Sequence, residues 1–102
     1  MVCEAGTGYL AKLGCWDCSI ANTRAAVFDL TLTQHHFEIL MAARDFYNRF
    51  GFSPSMRPLA KHIAEKIHPD KGKSLYLLKL FPNSPARLVA EIGGLPKPRN
   101  CI

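Results

Sequence analysis

The sequence predicts a mainly α-helical protein: a small orthogonal helical bundle with an N-terminal β-hairpin, a helix-turn-helix-like pair and a flexible C-terminal arm. Three observations predict this class. Apolar residues recur at helical spacing in successive segments, turn signals separate those segments, and two prolines in the last eight residues exclude a helix or an inner strand there. Because 102 residues are enough for one modest core, we expect a single domain over residues 1–102.

Residues 1–16 are expected to form the hairpin. Gly6 and Gly8 give a turn signal, and the residues after them alternate between two strand faces. One of those faces would carry Tyr9, Ala11 and Leu13.

Five helices are expected after the hairpin. They run over 17–28 with Asp17 or Ser19 as cap, from Thr33 as N-cap to about Phe50, over about three turns after Ser53-Pro54-Ser55 with an apolar pattern from Leu59 to Ile67, over the short apolar segment 75–81, and over 85–92 with Ser84 as cap and Pro85 in the first position. The fourth is expected to cross the core. The predicted inward residues are Ile20, Ala21, Ala25, Phe28, Phe37, Leu40, Met41, Tyr47, Leu59, Ala60, Ile63, Ala64, Ile67, Leu75, Leu77, Leu78, Leu80, Phe81, Leu88, Val89 and Ile92.

The charge and hydropathy of the chain limit its location and its partners. Thirteen Lys and Arg against eight Asp and Glu give a net charge of +5, which favours acidic partners. No apolar run approaches the roughly eighteen residues that a membrane span needs, and the N-terminus has neither a basic leader nor an apolar signal core. We therefore expect a cytoplasmic protein without a membrane partner.

The C-terminal arm, residues 94–102, carries a lone cysteine at the penultimate position, Cys101. Pro96 and Pro98 stiffen it, while Gly94 and the glycine before it would form a hinge. Fully extended, the arm would carry Cys101 roughly 25–30 Å from Gly94, at about 3.3–3.6 Å per residue. A thiol in this position is placed for delivery into the pocket of another protein.

The residues beside Cys101 bear on its reactivity. Lys97 and Arg99 would stabilise the thiolate, and the terminal carboxylate of Ile102 would oppose them. No acid or base lies next to the thiol in the sequence, so a self-contained catalyst would have to recruit one of four histidines through the fold: His35, His36, His62 or His68. A carrier thiol needs no such helper, since thiol exchange requires only access and a sulfur with a good leaving group.

Two further motifs suggest other functions. Cys15 and Cys18 form a C-x-x-C, but the second pair of a zinc site and the βαβ context of a redox pair are both missing, so we expect no metal and no cofactor. The helix pair around residues 51–55 has a helix-turn-helix outline, which leaves DNA binding as an alternative function. Its second helix and exit carry Arg57, Lys61, Lys66, Lys71 and Lys73.

With these positions in view, the chain resembles the DsrC/TusE family of small sulfur-carrier proteins. The strongest match is the segment from Gly94 to Pro98 followed by the penultimate cysteine. Supporting matches are Gly8-Tyr9-Leu10, Trp16, Leu32-Thr33 with His36, Arg44-Asp45-Phe46-Tyr47, Pro54 with Arg57, Leu80-Phe81-Pro82 and Pro85-Ala86. Phe37 stands where the family often has tryptophan, and Cys3, Cys15 and Cys18 lie outside the family pattern.

The resemblance implies a carrier that accepts sulfur as a persulfide on Cys101 rather than a self-contained enzyme. In the TusE branch, sulfur would come from a TusBCD-type complex and pass to an MnmA-type thiouridylase bound to tRNA, for 2-thiouridine formation at the wobble position. The DsrC branch, associated with sulfite reductase, has a second cysteine eleven residues before the penultimate one, where this chain has Ala90. That difference favours the TusE-like interpretation and leaves a sulfite-reductase-associated subunit as an alternative.

We expect three groups of site residues. Cys101 would be the persulfide carrier. The arm and thiolate support would comprise Gly94, Leu95, Pro96, Lys97, Pro98 and Arg99. A docking face would comprise Arg44, Arg57 and Lys61.

Overall fold

This computed structural model describes residues 16–96. They contain five α-helices and one short 3-10 helix, joined by turns and loops. The helices are α1 Cys18–Val27, α2 Gln34–Phe50, α3 Met56–Lys66, α4 Ser74–Leu80 and α5 Pro85–Ile92, with the 3-10 helix over Pro69–Gly72. This confirms the mainly helical class. The expected hairpin and the end of the arm lie outside the described residues. Within residues 16–96 no helix combines the length and hydropathy that a membrane span requires.

Local side-chain chemistry sets where the first two helices begin. The Asp17 carboxylate accepts a hydrogen bond from the Ile20 backbone N–H at 2.9 Å, so Asp17 is the cap of α1. At the start of α2 the Thr33 N–H donates to Nδ1 of His36 at 3.1 Å. Because Nδ1 accepts there, Nε2 carries the proton and donates to the Leu80 carbonyl at 2.8 Å. His36 thus joins the start of α2 to the end of α4.

Helix α5 is the centre of the bundle, because it contacts all four of the other α-helices. Its short, strongly amphipathic sequence buries Leu88, Val89 and Ile92 as predicted. The largest fully buried side chains of the core are Ile39, Leu40, Leu59, Ile63, Leu77, Phe81, Val89 and Ile92. Since the other helices surround α5, its C-terminal end, where the arm starts, is within reach of side chains from several elements.

The prediction that α4 crosses the core is wrong. Leu77 and Phe81 are fully buried, but Leu75 is 76% exposed and Leu78 is 40% exposed. Helix α4 has seven residues with leucines around its whole circumference, so only one side of it can face the bundle. The helix therefore lies at the surface, with Leu75 and Leu78 exposed to solvent.

The inward face of α2 also differs from the apolar stripe in the sequence. Met41, predicted to be inward, is 46% exposed, whereas the polar residues His36 and Arg44 are buried. The prediction used the positions of apolar residues alone, and this pattern does not indicate that a polar side chain is buried. The predicted inward face of α2 is therefore rotated about the helix axis relative to the observed one. The end of α1 shows a similar difference, since Phe28 is 38% exposed.

Candidate functional site

The described part of the expected site is the segment that leads into the arm, residues 91–96, which we call the arm base. Helix α5 ends there in a tight turn. The Leu95 N–H donates to the Ala90 carbonyl at 2.8 Å, and the Gly94 N–H lies 3.5 Å from the Glu91 carbonyl. Gly94 adopts the left-handed conformation with φ 73°. This is the Schellman arrangement of a helix C-terminus, and it turns the chain back onto the bundle.

Four side chains hold the arm base by its backbone carbonyls. The Trp16 Nε1–H donates to the Ile92 carbonyl at 2.9 Å, and Arg44 Nη1 donates to the Gly93 carbonyl at 2.5 Å. Arg24 Nη1 donates to the Glu91 carbonyl at 3.2 Å, and the Ser53 hydroxyl donates to the carbonyl of Pro96. The donors come from the residue before the α1 cap, from α1, from α2 and from the α2–α3 turn. The backbone from Glu91 to Pro96 is therefore fixed to the bundle by four side chains from four parts of the chain.

Trp16 and Arg44 also form the floor beneath Gly94. The Arg44 guanidinium lies 4.4 Å from the centre of the Trp16 ring, a cation–π contact, and both side chains are buried. A Cβ atom added to Gly94 would lie 2.8 Å from Trp16 Cδ1 and 3.2 Å from Arg44 Nη1. The backbone at Gly94 thus approaches these two side chains more closely than any other residue type permits.

These contacts change the description of the predicted arm residues. Gly94 lies against Trp16 and Arg44 with no room for a side chain. Leu95 is 7% exposed and belongs to the hydrophobic core, and the Pro96 carbonyl accepts the hydrogen bond from Ser53. A hinge at Gly94 does not fit this geometry, because the left-handed turn and its neighbours fix that residue. Lys97, Pro98, Arg99 and Cys101 lie outside the described residues, and their roles remain predictions.

The predicted docking face divides into two parts. Arg44 is 3% exposed, so it is not available to a partner and acts on the arm base instead. Arg57 and Lys61 are exposed on α3. They lie four residues apart on one side of the helix, which keeps them available as docking residues.

Ala90 is buried, with 1% of its surface exposed, and its carbonyl accepts the hydrogen bond that closes the turn. This is the position where the resemblance places the second cysteine of the DsrC branch. In this chain a buried methyl group, directly before the arm base, therefore occupies that position. Cys18, the cysteine within the described residues, is exposed and free.

The histidines of the described segment have other partners. His36 joins α2 to Leu80, His62 Nε2 lies 3.1 Å from Asp45 Oδ2, and His68 receives the Asp70 N–H. Between residues 16 and 96 no cluster of three or more acidic, histidine or cysteine side chains could hold a metal ion. Each of these three histidines thus contacts a residue outside the arm base.

Sequence reasoning missed Arg24 and Ser53 as residues that hold the arm base. Their partners lie 67 and 43 residues away along the chain, and nothing near either residue in the sequence marks such a contact. Trp16 and Arg44 carried a partial signal as matches to the family pattern, but the sequence did not indicate that their side chains stack.

Comparison with known proteins assigns this geometry to a family. A family model described as "DsrC like protein" matches residues 3–102. The sulfurtransferase TusE of Photorhabdus laumondii is 44% identical over 95 residues, which cover 93% of this chain and 86% of that protein. The sulfurtransferase TusE homolog of Haemophilus influenzae is 41% identical, with coverage of 93% and 87%.

Two solved structures share the fold. The NMR structure of Allochromatium vinosum DsrC superposes with a TM-score of 0.77 at 36% identity, over 85% of this chain and 78% of that one. The crystal structure of the oxidized gamma-subunit of the dissimilatory sulfite reductase (DsrC) from Archaeoglobus fulgidus gives a TM-score of 0.69 at 35% identity, with coverage of 85% and 80%.

Proposed function

The chain belongs to the DsrC-like family, and from this membership we propose that it is a sulfur carrier of the TusE type with Cys101 as the residue that holds the sulfur. Identities of 40–44% to proteins named sulfurtransferase TusE, over 93% of the chain, are the observation that carries the proposal. Cys101 is assigned because it is the penultimate residue of an arm whose starting point the bundle fixes.

The proposed chemistry is two successive exchanges of one sulfur atom. The Cys101 thiolate attacks the outer sulfur of a donor persulfide, the new S–S bond forms as the donor S–S bond breaks, and the donor departs as a thiolate. An acceptor thiolate then attacks the outer sulfur of the Cys101 persulfide and releases the Cys101 thiolate. The sulfur keeps its oxidation state throughout, so neither step needs an oxidant or a reductant.

The arm base supports this proposal because it fixes the position of Pro96 and so limits how far from the bundle Cys101 can lie. Pro96 is the last described residue, its carbonyl is hydrogen-bonded to the bundle, and Cys101 is five positions further along the chain. At about 3.3–3.6 Å per residue, Cys101 can lie at most roughly 18 Å from Pro96. Lys97 and Arg99 lie within that span, where their charges would favour the thiolate and attract an acidic pocket.

We propose that the donor is a TusBCD-type complex and that the acceptor is an MnmA-type thiouridylase with bound tRNA, as the TusE-like resemblance implies. The final product would be 2-thiouridine at the wobble position, made in the cytoplasm. Arg57 and Lys61 would contribute to docking because both are exposed cations on α3.

Two alternatives are less well supported. The similarity to DsrC structures fits a sulfite-reductase-associated subunit, but Ala90 occupies the position of the second cysteine of that branch. The helix-turn-helix alternative depends on the exposed basic residues of α3, which serve protein docking equally well. Salt-dependent, sequence-selective binding of duplex DNA would be its specific sign.

The test of the proposal is persulfidation of wild type and of Cys101→Ser by a cysteine desulfurase with its relay proteins, followed by intact-mass measurement. Wild type should gain one sulfur atom and Cys101→Ser none, because the serine hydroxyl cannot form a persulfide. Cys18→Ser, which removes the exposed thiol of α1, is the matched control and should be loaded like wild type. Equal loading of Cys101→Ser would overturn the proposal.

A further inference from the structure

Two exposed phenylalanines lie beside the end of the arm base. Phe50 ends α2 and is 55% exposed, and Phe52 lies in the following turn and is 50% exposed. We call this pair the aromatic patch. Both rings pack on Phe46, with ring centroids 4.6 Å and 5.4 Å away, and Phe46 in turn packs on the His62 ring at 5.5 Å. The patch is therefore supported from below by buried side chains while its outer surface remains open.

The aromatic patch is joined directly to the arm base. Ser53 follows Phe52 in the chain, is buried, and donates its hydroxyl hydrogen bond to the Pro96 carbonyl. Other strongly exposed apolar residues, Val27 at 78% and Leu75 at 76%, lie on α1 and α4. The patch thus lies next to Pro96, the last described residue before Cys101.

The length of the remaining chain determines what must cover this surface. Because Cys101 can lie at most roughly 18 Å from Pro96, a protein that encloses the thiol in a pocket has to bring its own surface close to Pro96. A stable protein interface spans about 800 Å² on each partner, which is wide enough to extend from such a pocket over the adjoining turn. The patch would then lie inside the interface.

The charges on the helices that flank the patch in the chain indicate the chemistry of the partner. Arg49 precedes Phe50 in α2, and Arg57 and Lys61 lie on α3; all three side chains are exposed. Arg49 pairs with Asp45 at 3.2 Å, whereas for Arg57 and Lys61 the described residues supply no carboxylate within 4.0 Å. An exposed aromatic pair that is flanked in the chain by exposed cations is complementary to an apolar recess with a carboxylate rim.

We propose that the aromatic patch is the anchor by which the sulfur-relay partner protein docks, with Phe50 and Phe52 entering an apolar, acid-rimmed recess of that partner beside its cysteine pocket. The inference rests on the proposed function, since it assumes that a partner protein receives the arm. Rigid aromatic side chains are the typical hot spots of such interfaces because they bury a large area at little cost in conformational entropy.

The test compares Phe50→Ser/Phe52→Ser with Leu75→Ser, which removes an even more exposed apolar side chain on α4. The probe is a TusBCD-type donor complex loaded with labelled sulfur, and the readout is the rate of transfer to the carrier at limiting carrier concentration. The double variant should lose roughly 10–100-fold in kcat/KM, as expected for two interface hot spots, while Leu75→Ser should stay within about twofold of wild type. Circular dichroism and urea unfolding verify that each variant is folded.

A second substrate separates docking from chemistry. Glutathione persulfide has no protein surface to dock, so it should load Cys101 at the same rate in the double variant and in wild type. Transfer from the donor complex at the wild-type rate in the double variant would overturn the docking proposal. Faster loading by glutathione persulfide would overturn it in favour of an arm that covers the patch itself. Elution of wild type as a dimer and of the double variant as a monomer on gel filtration would overturn it in favour of a second copy.

Failure of the docking proposal is distinct from failure of the proposed function. If Cys101→Ser accepts no sulfur while the double variant accepts it normally, the carrier function stands and the patch is not the anchor. If Cys101→Ser accepts sulfur from either donor, the assignment of the carrier thiol itself is wrong.

Discussion

At the scale of single residues, Gly94 decides the direction in which the chain continues after α5. It combines a positive φ of 73° with a close approach to Trp16 and Arg44, so both its backbone and its missing side chain are required. The neighbouring residues then direct their carbonyls towards Trp16 and Arg44, which donate to them. One residue without a side chain thus allows the whole arm base to form.

Gly94→Ala should lower the free energy of unfolding by about 2–5 kcal/mol, since an alanine in the left-handed region costs about 1–2 kcal/mol and overpacking adds about 1–3 kcal/mol. Urea unfolding measures the loss, and the fluorescence of Trp16, the single tryptophan, reports on the arm base directly. Gly51→Ala, at a residue with φ 78°, controls for the backbone contribution. Equal losses for the two variants would contradict the role assigned to the contact with Trp16.

Arg44 shows how a residue can match a family pattern and still be misread. An arginine in a basic protein is expected at the surface, and the sequence offers nothing against that expectation. In the structure it is buried because its planar guanidinium can stack on Trp16 while donating to the Gly93 carbonyl. Arg44 lies on α2, whereas Trp16 precedes α1 and Gly93 follows α5, so these three residues are far apart in the sequence.

At the scale of elements, an ion pair ties α2 to the 3-10 helix over Pro69–Gly72. Lys71 Nζ lies 2.7 Å from Glu38 Oε2, and both side chains are partly shielded from solvent. The hydrogen bond from Lys71 lowers the pKa of Glu38 from its ordinary value of 4.5, and the same bond raises the pKa of Lys71 above 10.5. This pair stabilises the packing of the connection between α3 and α4 against α2.

The pair makes stability depend on pH in a defined direction. Because the pKa of Glu38 is lowered by folding, its contribution is complete above 4.5 and is lost as the pH falls through the lowered pKa. Because the pKa of Lys71 is raised, the contribution is complete below 10.5 and is lost as the pH rises through the raised pKa.

Glu38→Gln should therefore be less stable than wild type at neutral pH, and the difference should shrink in acid as wild-type Glu38 becomes protonated. Urea unfolding of both proteins from about pH 7 to about pH 3 measures this difference. Glu65→Gln, at an exposed glutamate of α3, is the control. A difference between Glu38→Gln and wild type that stays constant down to about pH 3 would exclude the ion pair as its cause.

At the scale of the whole molecule, the bundle continues beyond the last helix. Helix α5 ends at Ile92, but the core includes Leu95, and the contacts with the bundle continue to Pro96. The segment after α5 is therefore part of the folded body as far as Pro96, although its two glycines and a proline are typical of a linker.

Two truncations test this boundary. A chain that ends after Ile92 should be less stable than a chain that ends after Pro96 by about 3.5–5 kcal/mol. It loses the burial of Leu95, worth about 1.5–3 kcal/mol, and the two hydrogen bonds from Arg44 and Ser53 to the Gly93 and Pro96 carbonyls, worth about 1 kcal/mol each. Urea unfolding of the two truncated chains gives the difference. Equal stability would mean that residues 93–96 do not contribute to the fold.

The sequence by itself determined the helical class, the bounds of the five helices within about two residues, and the family. Those features depend on spacing, caps and short motifs, all of which lie within a few neighbouring residues. Thr33, Gly51, Ser84 and Pro85 are examples, since each marks a helix end without reference to the rest of the chain.

Only the tertiary structure decided which side of α2 and α4 faces the core and what holds the arm base. The donors Trp16, Arg24, Arg44 and Ser53 meet carbonyls 43 to 76 residues away, so no local pattern records their contacts. The sequence identified a cysteine near the end of an arm. The packing of α5 among the other helices determined where that arm is fixed, because only a folded bundle brings four distant side chains to one turn.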